Sequence, residues 1–312
     1  MTPHAFAERQ TRSSSEAGYT LIELMIAIAV MMVVSASIMN SIQQMTRVSE
    51  TVNNRSEMHA GVRNATELLQ QEIGQAGKIS LPGPAWLTQP VTVIGVSQWG
   101  VNDTTGMFVG QTLTIDTGAT QESVQITALD VPGKKITGDF QFLHNNPTTP
   151  VRVEGGFFAG VVPKTYLNGS TDFTLKMFGD INGDGNMVYV EYICDLAQAS
   201  LFRNSMAITA AVKPMPTVSQ VLLNNIQGNP DGSPCFTYQE QVVSGMHFVT
   251  DVAITLTVQT EKRDPVTGLF QQETKALLNV SPRNVFQVWQ LASMNMSNRV
   301  QSVPASVTAL LP

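Results

Sequence analysis

The chain has 312 residues, of which 13 % are charged, and its net charge is −6. This length is enough for a membrane anchor and one or two globular domains. Contacts from lysine and arginine to phosphates dominate nucleic-acid affinity, so a mildly acidic chain with few charges argues against a nucleic-acid partner.

The first predicted element is an apolar helix that begins after Gly18. From Leu21 to Met39 the chain has a single charge, Glu23, and at 1.5 Å per residue this stretch reaches roughly 28 Å, about the thickness of a bilayer's hydrocarbon core. A carboxylate within a spanning helix is costly, so Glu23 is expected to have a cationic partner or a function. If the chain were cut after Gly18, the new amine of Tyr19 would lie about one helical turn before Glu23 and could supply that charge, in the same chain or a neighbouring one.

The ten residues that start at Gly18, GYTLIELMIA, resemble the type IV prepilin cleavage and methylation site. A glycine precedes the cut, an aromatic residue follows it, and a glutamate is the fifth mature residue. The resemblance implies that a prepilin peptidase cuts between Gly18 and Tyr19 and methylates the Tyr19 amine. It also implies that Glu23 pairs with the amino terminus of an adjacent subunit during assembly. The implied segments are a leader at residues 1–18 and a transmembrane and filament-core helix at residues 19–39.

Two other interpretations fit an apolar segment near the N-terminus. One is an uncleaved signal anchor. The other is a secretory signal peptide cut after Ala36, because Val34 and Ala36 satisfy the small-residue rule for such sites. The leader carries as many acidic as basic residues, and Glu23 interrupts the apolar run, so the prepilin interpretation is favoured over the secretory one.

The helical pattern continues to residue 77. Between Asn40 and Gly77 no proline interrupts, and apolar residues recur at helical spacing. One helix from about Tyr19 to Gln75 would be roughly 85 Å long, with an apolar first half and an amphipathic second half. Residues 40–77 are therefore predicted to pack against a globular head.

Short runs rich in β-branched residues follow and predict an antiparallel β head formed by residues 78–106 and 157–312. Residues 107–156 carry four further predicted strands, which we interpret as a small β module inserted into the head. Late in the chain, an alternating strand from Val252 to Val258 is predicted to return through a turn at residues 264–268. The segment after Asn284 has no predicted structure.

The run from Asp180 to Glu191 has the residue spacing of a calcium loop. Oxygen ligands at alternating positions, a glycine at the turn and a glutamate at position twelve fit the pattern, and the candidate ligands are Asp180, Asn182, Asp184, Asn186 and Glu191. A strand pattern follows the run where a calcium loop would open a helix, and Asn-Gly and Asp-Gly are also the strongest hairpin-turn pairs. The run therefore fits a calcium site and a plain tight turn equally well, and calcium is the one cofactor under consideration.

The two cysteines, Cys194 and Cys235, fall in the part of the chain that would be exported. In an oxidising periplasm they are expected to form a disulfide, and the alternative is a pair of buried thiols.

Four segments of the head resemble PilW-type minor pilins in their order along the chain. They are a tyrosine-bearing strand from Val188 to Ile193, an L-x-R strand at residues 201–203, an L-x-N-I segment that ends at Ile226 and an F-x-Y strand from Phe236 to Tyr238. The resemblance implies an α+β protein of the type IV pilin fold, in which a long N-terminal helix packs on an antiparallel sheet.

The same resemblance implies a structural function. The chain would be a low-abundance minor pilin that primes assembly of a type IV pilus or caps its tip, with a role in adhesion or motility. Its partners would be other pilins, the prepilin peptidase, and the inner membrane with the pilus assembly platform. The head would lie in the periplasm before assembly and on the pilus or cell surface afterwards. The alternatives are a minor pseudopilin of a type II secretion system and a membrane-anchored, calcium-dependent adhesin that never enters a filament.

No catalytic motif accompanies these features. The histidines outside the leader, His59, His144 and His247, form no H-x-x-x-H pair, and the chain lacks a G-x-S-x-G elbow. We therefore expect a binding or structural protein and no enzyme.

Overall fold

The computed structural model describes residues 18–78, 81–145, 150–210, 212–296, 299–301 and 303–309. The predicted leader lies outside this part of the chain except for Gly18. The described residues form a long N-terminal helix followed by a head of mostly antiparallel strands, which confirms the predicted α+β arrangement.

The first helix, α1 (Leu21–Gln75), is one continuous helix of 55 residues. Its first half is exposed on all sides and is long and apolar enough to cross a membrane, the only such helix in the described part of the chain. Its second half buries one face, which consists of Met58, Val62, Ala65, Thr66, Leu69, Glu72 and Ile73. The predicted division into an apolar half and an amphipathic half is therefore present.

The helix ends because the chain turns sharply after Ala76. Gly77 has a φ of +90°, which favours glycine, and the side-chain amide of Asn284 donates a hydrogen bond of 2.9 Å to the Ala76 carbonyl. A β-carbon at Gly179 would lie 2.6 Å from the Gly77 nitrogen. The backbones at the helix end and at Gly179 of the head are therefore so close that no side chain fits between them.

Seventeen strands follow among the described residues. In chain order they are β1 (Ala85–Trp86), β2 (Gly95–Gly100), β3 (Thr112–Ile115), β4 (Glu122–Gln125), β5 (Ala128–Asp130), β6 (Lys135–Phe140), β7 (Arg152–Gly155), β8 (Phe157–Phe158), β9 (Thr174–Gly179), β10 (Val188–Asp195), β11 (Ser200–Ala207), β12 (Val221–Asn224), β13 (Ile226–Gln227), β14 (Phe236–Val243), β15 (Met246–Gln259), β16 (Gln272–Val280) and β17 (Val300–Gln301).

Two antiparallel sheets form the part of the head that covers α1. The first head sheet has the order β12-β11-β10-β9. In the second head sheet, β13 and β14 pair with successive parts of one edge of β15, and β16 pairs with its opposite edge. The hairpin predicted from residue 252 to residue 280 is the β15–β16 pair. The buried face of α1 and both sheets share one hydrophobic core, which includes Leu69, Tyr192 and Leu256. Each fully buried side chain of this kind contributes roughly 1.5–3 kcal/mol.

A buried carboxylate lies within the interface between the helix and the first head sheet. Glu72 accepts hydrogen bonds from the Arg203 guanidinium, at 2.5–3.1 Å, and from the Tyr192 hydroxyl at 2.5 Å. Its side chain is 7 % exposed. Burial and the neighbouring Glu72 both raise the pKa of Tyr192, so the phenol stays protonated and remains a donor.

The disulfide between Cys194 and Cys235 joins the two head sheets. Cys194 lies on β10, Cys235 immediately precedes β14, and both are part of the core shared with α1. The predicted pairing is confirmed. By the chain-entropy estimate, closing a loop of this size contributes roughly 4 kcal/mol.

Residues 81–155 form a small unit with two sheets and a core of its own. The sheets have the orders β1-β7-β3-β4 and β2-β6-β5. Apolar residues alternate with polar ones along the predicted strands of residues 107–156, and Phe142 is an exposed member of this pattern. The buried members are Leu113, Ile115, Val124, Ile126, Ile136, Phe140, Val151 and Val153. The sequence places the start of the module at residue 107, whereas β1 and β2, which precede that residue, pair with β7 and β6.

The chain enters and leaves the small unit at one place. The backbones of Lys78 and Phe158 exchange two hydrogen bonds, at 3.1 and 2.9 Å, as an isolated antiparallel bridge. The side chain of Lys78 is buried and donates a 2.5 Å hydrogen bond to the carbonyl of Gly106 inside the unit. Burial lowers the pKa of Lys78 to about 8, against the opposing effect of the nearby Asp180 carboxylate.

The C-terminal segment contains two short helices, α2 (Arg283–Ser293) and α3 (Ala305–Thr308). The buried face of α2, formed by Val285, Val288 and Ala292, packs against Phe248 of β15. Trp289 lies on α2 and is partly exposed. This segment, for which the sequence gives no structure, is therefore part of the head.

We expect replacement of Glu72 by alanine to lower the free energy of unfolding by about 3 kcal/mol, because the Arg203 guanidinium would remain in the interface without its carboxylate. Urea denaturation of the full chain in detergent, followed by circular dichroism, measures this loss. The matched control is Glu67→Ala on the same helix, which breaks an exposed pair with Arg63 and is expected to have little effect. Equal stability of the two variants would contradict a structural role for Glu72.

Candidate functional site

The N-terminus of α1 carries the predicted processing and assembly residues in one short stretch. Gly18 and Tyr19 precede the helix and are exposed, and Thr20 is the N-cap with extended backbone angles. A β-carbon added at Gly18 would have no atom of the described residues within 4 Å, so the described part of the fold does not require a glycine at this position. Glycine here is therefore open to a processing role.

Glu23 and Thr20 form a capping box. The Thr20 backbone N–H donates to Glu23 Oε2 at 3.1 Å, and the Glu23 backbone N–H donates to Thr20 Oγ1 at 3.3 Å. Two of the N–H groups that a helix start leaves unpaired are thereby satisfied, and the carboxylate lies at the positive end of the helix dipole. Glu23 thus has a stabilising environment within its own chain before any partner approaches.

This capping box is absent from the sequence-based predictions, although its signature is local. Thr20 followed three residues later by Glu23, just before an apolar run, is the T-x-x-E pattern of a helix start. The expectation that Glu23 needs a cation rests on its position inside an apolar run. The structure adds that the carboxylate is one turn from the helix end, where the backbone offers it donors.

The apolar surface of α1 from Leu24 to Val52 is exposed in the described part of the chain. Apolar side chains remain exposed past the spanning length, at Ile42, Met45, Val48 and Val52, and their spacing puts them on one side of the helix. An exposed apolar surface of this extent indicates burial in lipid or against other helices.

Comparison with known families decides what kind of N-terminus this is. Residues 13–39 match the prokaryotic N-terminal methylation motif. With the long apolar helix and the β-rich head, this match is consistent with a type IV pilin-like protein and supports a pilin or pseudopilin kind of protein. No curated protein and no solved structure matches the chain.

The methylation motif carries implications for partners and for location. Proteins with this motif are processed by a prepilin peptidase and assemble with other pilins, so the motif implies both for this chain. The apolar helix that follows is compatible with membrane anchoring. The motif also points to a structural protein.

In the structure, residues 180–186 of the predicted calcium loop form a turn, whereas Glu191 lies on β10. Asp180 Oδ2 accepts a 3.0 Å hydrogen bond from the Gly185 N–H, and Asp184 Oδ1 accepts one of 2.9 Å from the Asn186 N–H. Asp180 Oδ1 is buried and has no hydrogen-bond partner among the described residues. Backbone N–H groups of the turn therefore bind one oxygen of Asp180 and one of Asp184, and the other oxygen of Asp180 has no described partner.

The carboxylate of Glu191 interacts with residues outside this turn. It is fully buried on β10 and accepts hydrogen bonds from Tyr189, Asn204 and Lys213, at 2.9–3.1 Å. The ammonium group of Lys213 is almost equally buried and balances its charge. Any calcium ion at the turn would therefore depend on Asp180, Asn182, Asp184 and Asn186. Within the described residues, no three histidine, cysteine, aspartate or glutamate side chains are grouped to hold a metal.

A second buried polar cluster lies in the small unit. The ring of His144 is fully buried between Asp116 Oδ2, at 3.0 Å from Nδ1, and Glu122 Oε1, at 2.5 Å from Nε2. Hydrogen bonds from Thr120 and His144 outweigh desolvation and lower the pKa of Asp116. Because the imidazole is enclosed, the arrangement holds strands together and offers no surface to a substrate.

Calcium binding by the turn stays a prediction, and thermal melting tests it. If the turn binds calcium in the roughly 0.1–1 mM range typical of extracellular sites, a few mM calcium should stabilise the full chain in detergent by on the order of 1–2 kcal/mol relative to chelator. Asp184→Ala should abolish the difference. Asp231→Ala, which removes a comparable turn cap elsewhere in the head, should leave it intact. Identical melting of the parent chain in both conditions would show that the run is only a tight turn.

Proposed function

We propose that this chain is a structural minor pilin of a type IV pilus, incorporated at low abundance to prime assembly or to cap the tip. The methylation motif and the spanning helix support membership of a pilin-type assembly. The small unit supports the finer assignment, and it is the observation on which this proposal chiefly rests.

The argument from the small unit is steric. The unit follows the C-terminal end of α1, which is the end farthest from the membrane, and adds a second hydrophobic core to the head. In a filament built from the membrane outward, a bulky addition at that end of each subunit would meet the next subunit above it. The first subunit has none above it, so such a head suits the tip.

The disulfide supports export of the head. Disulfides persist in oxidising compartments such as the periplasm, and the Cys194–Cys235 bond joins two sheets of the head. We therefore place the chain in the inner membrane as a single-pass protein with a periplasmic head before assembly, and on the pilus afterwards. Its partners in this proposal are the prepilin peptidase, the assembly platform and other pilins.

A minor pseudopilin of a type II secretion system is the competing assignment, because the methylation motif supports it equally. Presence of the chain in pili sheared from the cell surface favours the pilus. Its retention in the envelope, together with a secretion defect in its absence, favours the pseudopilin.

The processing step has a direct test. Mass spectrometry of the chain from its native host should show an N-methylated Tyr19 at the amino terminus. Gly18→Leu should leave the leader attached, and because a side chain at this position would meet no described residue, loss of cleavage would report on the peptidase and not on the head. A chain that starts at Ser37 would contradict the pilin assignment and support an ordinary signal peptide.

The assembly role of Glu23 can be separated from its capping role. Glu23→Gln keeps an acceptor for the Thr20 N–H but removes the charge, whereas Glu23→Ala removes both. If the carboxylate pairs with the amino terminus of a neighbouring subunit, both variants should insert into the membrane, and both should be strongly depleted from sheared pili. Immunoblots of pilus and membrane fractions measure this. Normal incorporation of Glu23→Gln alongside depletion of Glu23→Ala would show that only the cap matters.

A further inference from the structure

Glu191 of β10 joins an amine and an amide on one face of the first head sheet. Val190 and Tyr192 lie in the core shared with α1, so Glu191, between them, points to the opposite face of the sheet. Asn204 of β11 is directly opposite Glu191, and both residues are fully buried. Asn204 Nδ2 donates to Glu191 Oε1 at 3.1 Å, and the ammonium group of Lys213, in the loop after β11, donates to Oε2 at 2.9 Å. The amine and the amide therefore bind the two oxygens of one buried carboxylate.

Further contacts orient the amide of Asn204. Its Nδ2 also donates to the carbonyl of Pro214, the residue after Lys213, at 3.0 Å. Its Oδ1 accepts a 2.7 Å hydrogen bond from Nε2 of Gln220. A donor on the oxygen of an amide stabilises the negative charge that develops there when a nucleophile attacks the amide carbon. The amide is thus held beside Lys213 with its oxygen already bound to a donor.

A second buried amine lies next to the same carboxylate. Lys176 of β9 is opposite Glu191 in the sheet, is itself buried, and donates to the Asn168 carbonyl at 2.9 Å. Burial, and then the positive charge of Lys213, lower the pKa of Lys176 against the opposing effect of Glu191. Among the described residues, two buried amines therefore share one carboxylate, and a buried charge without a partner is costly. Conversion of Lys213 into a neutral amide would leave one amine for one carboxylate.

We propose that Lys213 and Asn204 form an isopeptide bond, an amide link between their side chains, in the folded head. Lys213 is the nucleophile, because a buried lysine gives up its proton more readily than one in water and its flexible stem allows Nζ to reach Cγ of Asn204. Glu191 is the catalytic residue, since it touches both the attacking and the leaving nitrogen and can carry protons between them.

The reaction balances without an oxidant or a cofactor. Glu191 takes a proton from the Lys213 ammonium group, and the neutral amine attacks Cγ of Asn204 to form the new carbon–nitrogen bond. The bond between Cγ and Nδ2 then breaks. Nζ gives up two protons in all, and both leave with Nδ2 as one ammonium ion. Glu191 ends as a carboxylate, with Lys176 as its remaining buried cation.

The link ties the loop after β11 to the sheet that it crosses. Two apolar side chains of this loop, Val212 and Met215, are 77 and 76 % exposed, so packing contributes little to holding it. A covalent bond at Lys213 holds the loop in place instead. The bond forms within one folded chain, and it does not depend on the proposed assembly.

Cyanogen bromide cleavage tests the bond directly, because Met206 lies between the two residues. The reagent cuts after methionine and so places Asn204 in fragment 188–206 and Lys213 in fragment 207–215. In the full chain, purified in detergent and then reduced and alkylated, the bond should join these fragments into one branched product. Mass spectrometry should find this product lighter than the sum of the two fragments by one ammonia molecule. Two separate fragments from the parent chain would overturn the proposal.

Variants separate the chemistry from the fold. Lys213→Arg keeps a cation against Glu191, but a guanidinium stays protonated and does not attack, so the two fragments should separate. Glu191→Gln keeps the shape of the side chain without the proton carrier, and its fragments should separate too. Lys176→Arg is the matched control, because it replaces the buried amine that does not react, and it should keep the joined product.

Circular dichroism of each variant shows whether the head is still folded when its fragments are analysed. A joined product from Lys213→Arg would overturn the assignment of the link to this lysine. A joined product from Glu191→Gln would overturn the role of the carboxylate. Separate fragments from a folded Lys213→Arg chain, next to a joined product from the parent, would support the bond even if Glu191→Gln does not fold.

Discussion

The contact of Glu72 with Arg203 and Tyr192 constrains the whole molecule, because it allows one placement of a long rigid helix on the head. Apolar side chains tolerate small rotations and shifts, but a buried carboxylate that needs two donors does not. Since α1 is unbroken from Leu21 to Gln75, an orientation fixed at one end is carried to the other. The direction in which Glu23 and the apolar side chains of the first half point is therefore set some 50 residues away, by a contact inside the head.

The carboxylates buried in the fold and the carboxylate at the start of α1 differ in the partners that bind them. The buried carboxylates of Glu72, Glu122 and Glu191 each have a cationic or imidazole partner, so each is satisfied within the folded chain. Glu23, in contrast, accepts hydrogen bonds from the backbone N–H and the hydroxyl of Thr20 and stays exposed, with no cationic partner among the described residues. An amino terminus that brings a positive charge to Glu23 would therefore gain an interaction that the described residues do not supply. A neighbour brought to Glu191 would find its oxygens already bonded.

Local signals predicted much of this fold. The long helix, the β15–β16 hairpin and the alternation in the small unit all follow from periodicity, and the disulfide follows from a count of two cysteines. The spacing of Val285, Val288 and Ala292 is helical too, so α2 could have been found. The pairing of Glu72 with Arg203 crosses 131 positions and leaves no trace in either segment. For the same reason, the sequence predicts the strands of the small unit but not which strands pair with each other. The pairing of β1 and β2 with β7 and β6 is what makes these two strands part of the unit, so its first residue could not be predicted either.

The candidate site shows a similar division. The methylation motif is a contiguous string, and reading it needs no tertiary structure. The calcium pattern is also a string, but whether Glu191 faces the turn depends on which side of β10 it occupies and on a lysine 22 residues later. A ligand pattern that runs into a strand separates alternate residues onto opposite faces, and a linear motif does not record that separation.

The bridge between Lys78 and Phe158 has a consequence for how such a head can vary. Lys78 precedes the small unit and Phe158 follows it, and their backbones are hydrogen-bonded to each other, so the unit is a long loop whose two ends are already joined. The bridge holds the two ends together whatever the length of the loop between them, because the entropy of closing a longer loop grows only slowly with its length. A replacement loop would in addition have to supply a carbonyl for the buried ammonium group of Lys78 and an apolar side chain where Phe108 packs against Phe158, so the bridge tolerates a change of length more readily than a loss of these two contacts.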